Sequence, residues 1–155
     1  MGLTLSLDSA TVIDLIRGRR PEVRGRYREA AMSGQEMVLS AVVMHELIVG
    51  ITMSRNPTIE RKRLVETTVG LPVVDLIAAD VEATGRIAGD LRQGGRPIGD
   101  LDTLIAGQAL ARGWTVVTRN VRHFGRVEGL SLVDWSVGSE PLSEKAVADR
   151  VREAD

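Results

Sequence analysis

The sequence predicts an α/β domain: a central parallel β-sheet with α-helices flanking both faces. Short apolar runs of strand character alternate with segments of helical spacing from end to end. The 155 residues, 43% hydrophobic and 26% charged, suffice for one compact domain with a sizeable core. Aromatic residues are only 3%, so Leu, Val, Ile and Ala must fill that core.

Each element follows from local pattern. Leu3-Thr4-Leu5-Ser6-Leu7 alternates like a strand with one apolar face, and Asp8 comes directly after it. Ser9 suits an N-cap, Ala10 to Arg17 has helical spacing, and Gly18 stops it. Pro21 opens a second helix to about Ser33. Met37-Val38-Leu39 reads as a strand, and Ser40 caps a helix from Ala41 to about Met53. Pro57 opens another, to about Thr68. Pro72 to Leu76 is extended, and Ala78 to Gln93 is helical until Gly94-Gly95. Asp100 or Gly99 begins the next helix, which Gly113 ends. Trp114 to Thr118 is a strong strand, and a last one falls around Leu130 to Trp135. Residues 1–138 are read as the domain. The polar tail, 139–155, is expected to form a helix or be disordered.

Composition excludes several classes. With no cysteine there are no disulfides and no thiolate metal sites, a pattern compatible with a cytoplasmic location. Residues 1–7 lack the basic start and apolar run of a signal peptide, and no stretch approaches the roughly 20 apolar residues of a membrane span. The net charge of −1 gives no bulk attraction to nucleic acid. The basic residues are nonetheless nearly all arginine, Lys62 and Lys145 excepted, and arginine pairs bidentately with phosphate. A GC-rich genome would produce the same bias.

The acids carry the chemistry. In a parallel sheet, right-handed crossovers bring the strand carboxyl ends to one edge, where ligands bind. Asp8 ends the first strand, and Asn120 follows the strand Trp114–Thr118 by two residues. Asp100 and Asp102 start the helix that feeds that strand, and Glu46 is the only formal charge between Ala41 and Gly50. Lone carboxylates in such apolar settings are costly, and several together need a cation or protons between them. Oxygen ligands without Cys point to Mg²⁺ or Mn²⁺. Taken singly, Asp8 and Asp100 also suit helix caps and Glu46 an arginine partner.

Four stretches, LSLDSATVIDLIRG, LSAVVMHELIVG, GRPIGDLDTLIAGQALARGWTVVTRN and VRHFGRVEGLSLVDW, together resemble the ordered motifs of PIN-domain ribonucleases. The likeness covers about residues 3–135 and is nearest to the VapC toxins of bacterial toxin–antitoxin pairs. It implies an Mg²⁺-dependent endoribonuclease acting on tRNA or rRNA, a VapB-like antitoxin as partner, and a homodimer. Asp8, Glu46 and Asp102 match the first three family acids, Asp102 in the pattern Ile-Gly-x-x-Asp. The fourth slot falls on Asn120, which can accept through its carbonyl oxygen but adds no charge. Asp8 and Asp102 are then the expected metal ligands, with Glu46 orienting water and Asn120 placing metal or phosphate. Ser9 and Thr118 are supporting positions, Ser9 retaining a hydroxyl where Ala10 departs from the family's Asp-Thr-Asn start. Asp100 is a third supporting position: a cap first, otherwise a neighbour of the metal or a replacement for the charge missing at Asn120.

Arg119, Arg122, His123 and Arg126 cluster after the same strand, as RNA-phosphate contacts or as a solvated loop. Phe124, Trp114 and Trp135 read as packing residues, and His45 has no catalytic role. The apolar runs Val42–Met53 and Leu71–Ala79 offer dimer surface or core. Two rival readings are weaker. An aspartate-based phosphotransfer domain would want a second Asp at Ala10 or a lysine after its last strand. A PIN-like module degenerate at Asn120 would bind RNA or antitoxin without cutting.

Overall fold

The computed structural model describes residues 2–154. Among them run, in order, β1 (Leu5–Leu7), α1 (Ser9–Arg17), α2 (Pro21–Met32), β2 (Met37–Ser40), α3 (Ala41–Thr52), α4 (Pro57–Thr68) and β3 (Val73–Val74). These are followed by α5 (Ala78–Gln93), α6 (Asp100–Arg112), β4 (Thr115–Val117), α7 (Val121–Phe124), β5 (Ser131–Val133) and α8 (Glu144–Arg152). The strands form one sheet in the order β3-β2-β1-β4-β5, every pair parallel. Leu7, Leu39, Val116 and Val117 are fully buried, as expected of strands with helices on both faces. No helix among the described residues is long and apolar enough to cross a membrane.

This order places the site. From β1 the chain steps outward one way to β2 and β3, and the other way to β4 and β5. The switch point therefore lies between β1 and β4, where a crevice opens at the strand carboxyl ends. Leu7 pairs with Val117 there, so whatever follows β1 meets whatever follows β4.

α5 and α6 form a close antiparallel pair. Gly107 of α6 lies against Thr84, and a β-carbon there would stand 2.7 Å from Thr84 Cα. Arg112 locks the pair through two bonds to Asp80, 2.9 and 2.8 Å long, and Asp80 is buried. The Arg112 bonds outweigh burial and hold the Asp80 carboxyl below its ordinary value. At the far end α8 packs on α7, the helix alternative for the tail. Gly125 admits it: a β-carbon there would stand 2.7 Å from Val147 and 2.8 Å from Val151. Arg150 then bonds the buried Asp134 at 2.5 Å.

Two local expectations are corrected. Asp8, not Ser9, caps α1: its Oδ1 accepts from the Thr11 backbone N–H at 2.8 Å, and Ser9 is the first helical residue. Asp100 caps nothing. Gly99 holds the cap position of α6 at φ +92, a left-handed conformation that glycine adopts without strain, and Asp100 lies inside the helix.

Candidate active site

Asp8 is placed by three elements at once. Its backbone N–H donates to Val117 O at 3.1 Å, extending the β1–β4 pairing by one residue. Its Oδ1 starts α1, and its Oδ2 accepts from the Thr118 hydroxyl just beyond β4. Thr118 in turn accepts from the Asn120 N–H at 2.9 Å, while the Thr11 hydroxyl donates to Val117 O. Asp8 is 4% exposed. Burial pushes its carboxyl above the ordinary value, the threonine bonds pull against that, and the Asp102 charge adds to the rise.

Asp102 lies in the first turn of α6 and faces the β4–α7 connection. Its Oδ2 accepts from Asn120 Nδ2 at 3.3 Å and stands 3.0 Å from His123 Nδ1. Glu46 projects from α3, half-buried. Burial raises its carboxyl, the Asp102 and Asp8 charges raise it further, and the Ser9 hydroxyl lowers it. Thus Asp8, Glu46, Asp102 and Asn120, distant in sequence, share one crevice with Ser9 and Thr118 beside them. By sequence His123 groups with Arg119, Arg122 and Arg126, as phosphate contacts or a solvated loop. Its partner is Asp102, and α7, which carries it, is too short for periodicity to reveal.

The other expected positions lie elsewhere. The Asp100 side chain is 85% exposed and pairs with Arg92 at 2.9 Å, so it neither caps α6 nor borders the acids. We expect Asp100→Asn to leave cleavage within about twofold and stability within about 0.5 kcal/mol, measured on purified protein. Arg119 is held by Asp14 through bonds of 2.6 and 3.2 Å. Arg126 donates to Pro97 O at 3.3 Å. Arg122 is exposed. Phe124 and Trp135 are buried, in keeping with packing roles.

The donor set suits a hard cation. Glu46 Oε1 is buried with no hydrogen-bond partner among the described residues, an orphan of a kind that proteins rarely tolerate. Three mutually repelling carboxylates surround the crevice. They are not drawn into a ready cage: no three His, Cys, Asp or Glu among the described residues are gathered closely enough to hold an ion. On one side Glu46 ends an apolar pocket of 160 Å³ walled by Ile13, Ile16, Leu47, Ile51 and Leu64.

Known proteins resemble this chain in sequence and fold. The PIN-domain family model matches residues 6–130. The chain is 38% identical over 136 residues to the tRNA(fMet)-specific endonuclease VapC of Shigella flexneri, covering 86% of this chain and 99% of that one. To the protein of that name from Salmonella typhimurium it is 35% identical, with 86% and 98% covered. Among solved structures, DNA-bound VapBC from Salmonella typhimurium superposes with a TM-score of 0.79 at 32% identity, covering 86% and 98% of the two chains. VapBC2 from Rickettsia felis, bound to a promoter fragment, gives 0.81 at 26%, covering 86% and 99%. A family model spanning most of the chain, and relatives matched along nearly their full length, place this protein in the PIN-domain family, among the VapC endoribonucleases.

Proposed function

We propose that the chain cuts RNA, with tRNA as the first substrate class and rRNA the second. It would use Mg²⁺ or Mn²⁺ and be held inactive by a VapB-like antitoxin. One observation carries the metal-dependent reading: the partnerless buried oxygen of Glu46 faces two further acids at the switch point of the sheet. The tRNA preference leans on the relatives' named activity, and the antitoxin on the VapBC complexes. A homodimer working in the cytoplasm completes the reading.

Asp8 and Asp102 would hold the ion. When bound, a divalent cation offsets the acids' repulsion, polarises the phosphoryl oxygen and acidifies water. Thr118 and the Thr11 N–H fix the Asp8 carboxylate, and Asn120 and His123 fix that of Asp102, so neither has to reorganise during the reaction. Glu46 Oε1 accepts a hydrogen bond from the attacking water and aims it at phosphorus. Water attacks in line, the P–O3′ bond breaks, and the departing 3′ oxygen takes up a proton. The products are a 3′-hydroxyl and a 5′-phosphate.

The test is cleavage of tRNA and rRNA fragments by purified, antitoxin-free protein, with Mg²⁺, with Mn²⁺ and with chelator. We expect metal-dependent cutting that leaves 5′-phosphate ends and is lost in Asp102→Asn. Equal cutting by that variant, or cutting in chelator, would sink the assignment.

A further inference from the structure

Two open grooves adjoin the acids, the first sharing Ile13 and Arg17 with the apolar pocket that Glu46 ends. The first, of 570 Å³, is lined by Arg17, Arg19, Arg20 and Arg119, with Asp14 and Glu22 as its acids. The second, of 300 Å³, is lined by Arg119, Asn120, Arg122, Arg150 and Glu153. They share Arg119. The first also reaches Ala10, two residues beyond Asp8, and the second includes Asn120, which bonds Asp102. The acid crevice thus borders a track of six arginines against three carboxylates, on a chain whose net charge is −1.

The arginines differ in mobility. Arg119 spends Nε and Nη2 on the buried Asp14, which leaves Nη1 to donate outward. Arg150 spends Nη1 on Asp134. These two are fixed posts. Arg17, Arg19 and Arg122 are exposed, with no ion pair among the described residues. α8, which supplies Arg150, lies beyond residue 130, where the family model ends. The second groove is therefore completed by a segment outside the matched domain.

We infer that these grooves hold the RNA strand on both sides of the bond being cut, with Arg17, Arg19 and Arg122 on its phosphates and Arg119 and Arg150 as fixed donors. The inference builds on the endoribonuclease reading and adds the path of the substrate. The two grooves meet at Arg119, with Ala10 and Asn120 linking them to the acid crevice. A chain lying along both must present an anionic group at each arginine and one more at the crevice, as a polynucleotide backbone does. An acidic peptide would carry its charges at irregular side chains, and is the competing occupant.

The probe is a fluorescent single-stranded RNA 12-mer, its binding followed by anisotropy across a KCl series on the cleavage-deficient Asp102→Asn protein. On that background, Arg17→Gln, Arg19→Gln and Arg122→Gln are combined. The control combines Arg28→Gln, Arg55→Gln and Arg61→Gln, which make the same charge change on other exposed surfaces. We expect the groove triple to weaken binding about tenfold or more. Its log–log salt slope should fall by about 2, at about 0.7 for each lost phosphate contact. In otherwise active protein the groove triple should raise KM at near-constant kcat, with the melting midpoint and the control triple little changed. If the parent cuts RNA and the groove triple matches the control, the track is overturned and the endoribonuclease stands. Loss of affinity for an acidic antitoxin peptide with RNA binding intact overturns it likewise. A parent that neither binds nor cuts RNA removes both readings.

Discussion

We expect Asp8→Asn to cut cleavage sharply and, without metal, to melt higher than the parent. Activity should fall about 10³-fold, since losing a charged ligand forfeits several kcal/mol of transition-state stabilisation. The stability gain follows from the sign of the proton linkage. Burial, with the Asp102 charge, raises the folded-state value of the Asp8 carboxyl above that of the unfolded chain. Between those two values the folded protein binds more protons, so stability declines as pH rises through that interval. The cost is absent below the ordinary carboxylate range and grows as pH rises from there toward the raised value. Asparagine caps a helix as well as aspartate, so the Thr11 bond survives while the charge goes. Thermal melts in chelator at neutral pH should show the gain, and melts near pH 4 should show it shrink. Adding Mn²⁺ should raise the parent and not the variant, because only the parent gains a ligand for its folded state. A variant that melts lower in chelator at neutral pH would mean that Asp8 is kept for stability.

Gly107→Ala and Gly85→Ala should have opposite effects, although both put a methyl group into the same α5–α6 hairpin. At Gly107 the new carbon would sit 2.7 Å from Thr84 Cα and 2.8 Å from Thr84 N, and backbone cannot swing aside. Overpacking of this kind costs about 3 kcal/mol, which for a domain of this size lowers the melting midpoint by about 6–12 °C. At Gly85 nothing lies within 4 Å, so alanine contributes only its better helix propensity, about 0.5–1 kcal/mol in favour of folding. Because α6 also carries Asp102, the Gly107 variant should lose cleavage at temperatures where it is still folded. Differential scanning calorimetry and cleavage assays on both proteins check the pair. A Gly107 variant as stable as the parent would show that the helices can separate freely.

Much of this arrangement was legible from the chain, because its signals are local. Pro21, Ser40 and Pro57 mark helix starts at or beside those observed, and the apolar runs at Leu5, Met37 and Thr115 become the central strands. The crossover rule then brings Asp8, Asp102 and Asn120 to one edge. What escaped is non-local or too short. The Arg119–Asp14 pair spans 105 positions and gives no sequence signal, so Arg119 read as free for phosphate when it is a fixed post. α7 has four residues, too few to show a period, and with it went the His123–Asp102 contact. At the start of α6 the cap preference of aspartate pointed to Asp100, but Gly99, with φ +92, takes that position. The Ile98-Gly99 step was the available clue.

The position of α8 bears on how the protein should be handled. The helix packs against α7, and Ala154, just beyond it, lines the same notch as Asn120 and Arg122. A purification tag or fluorescent fusion appended after α8 would therefore emerge beside the crevice, where it could block the substrate or pull α7 out of place. The amino end enters β1 at the opposite edge of the sheet from Asp8. A tag placed there leaves the acids clear, and the two fusions compared side by side would separate true inactivity from an artefact of labelling.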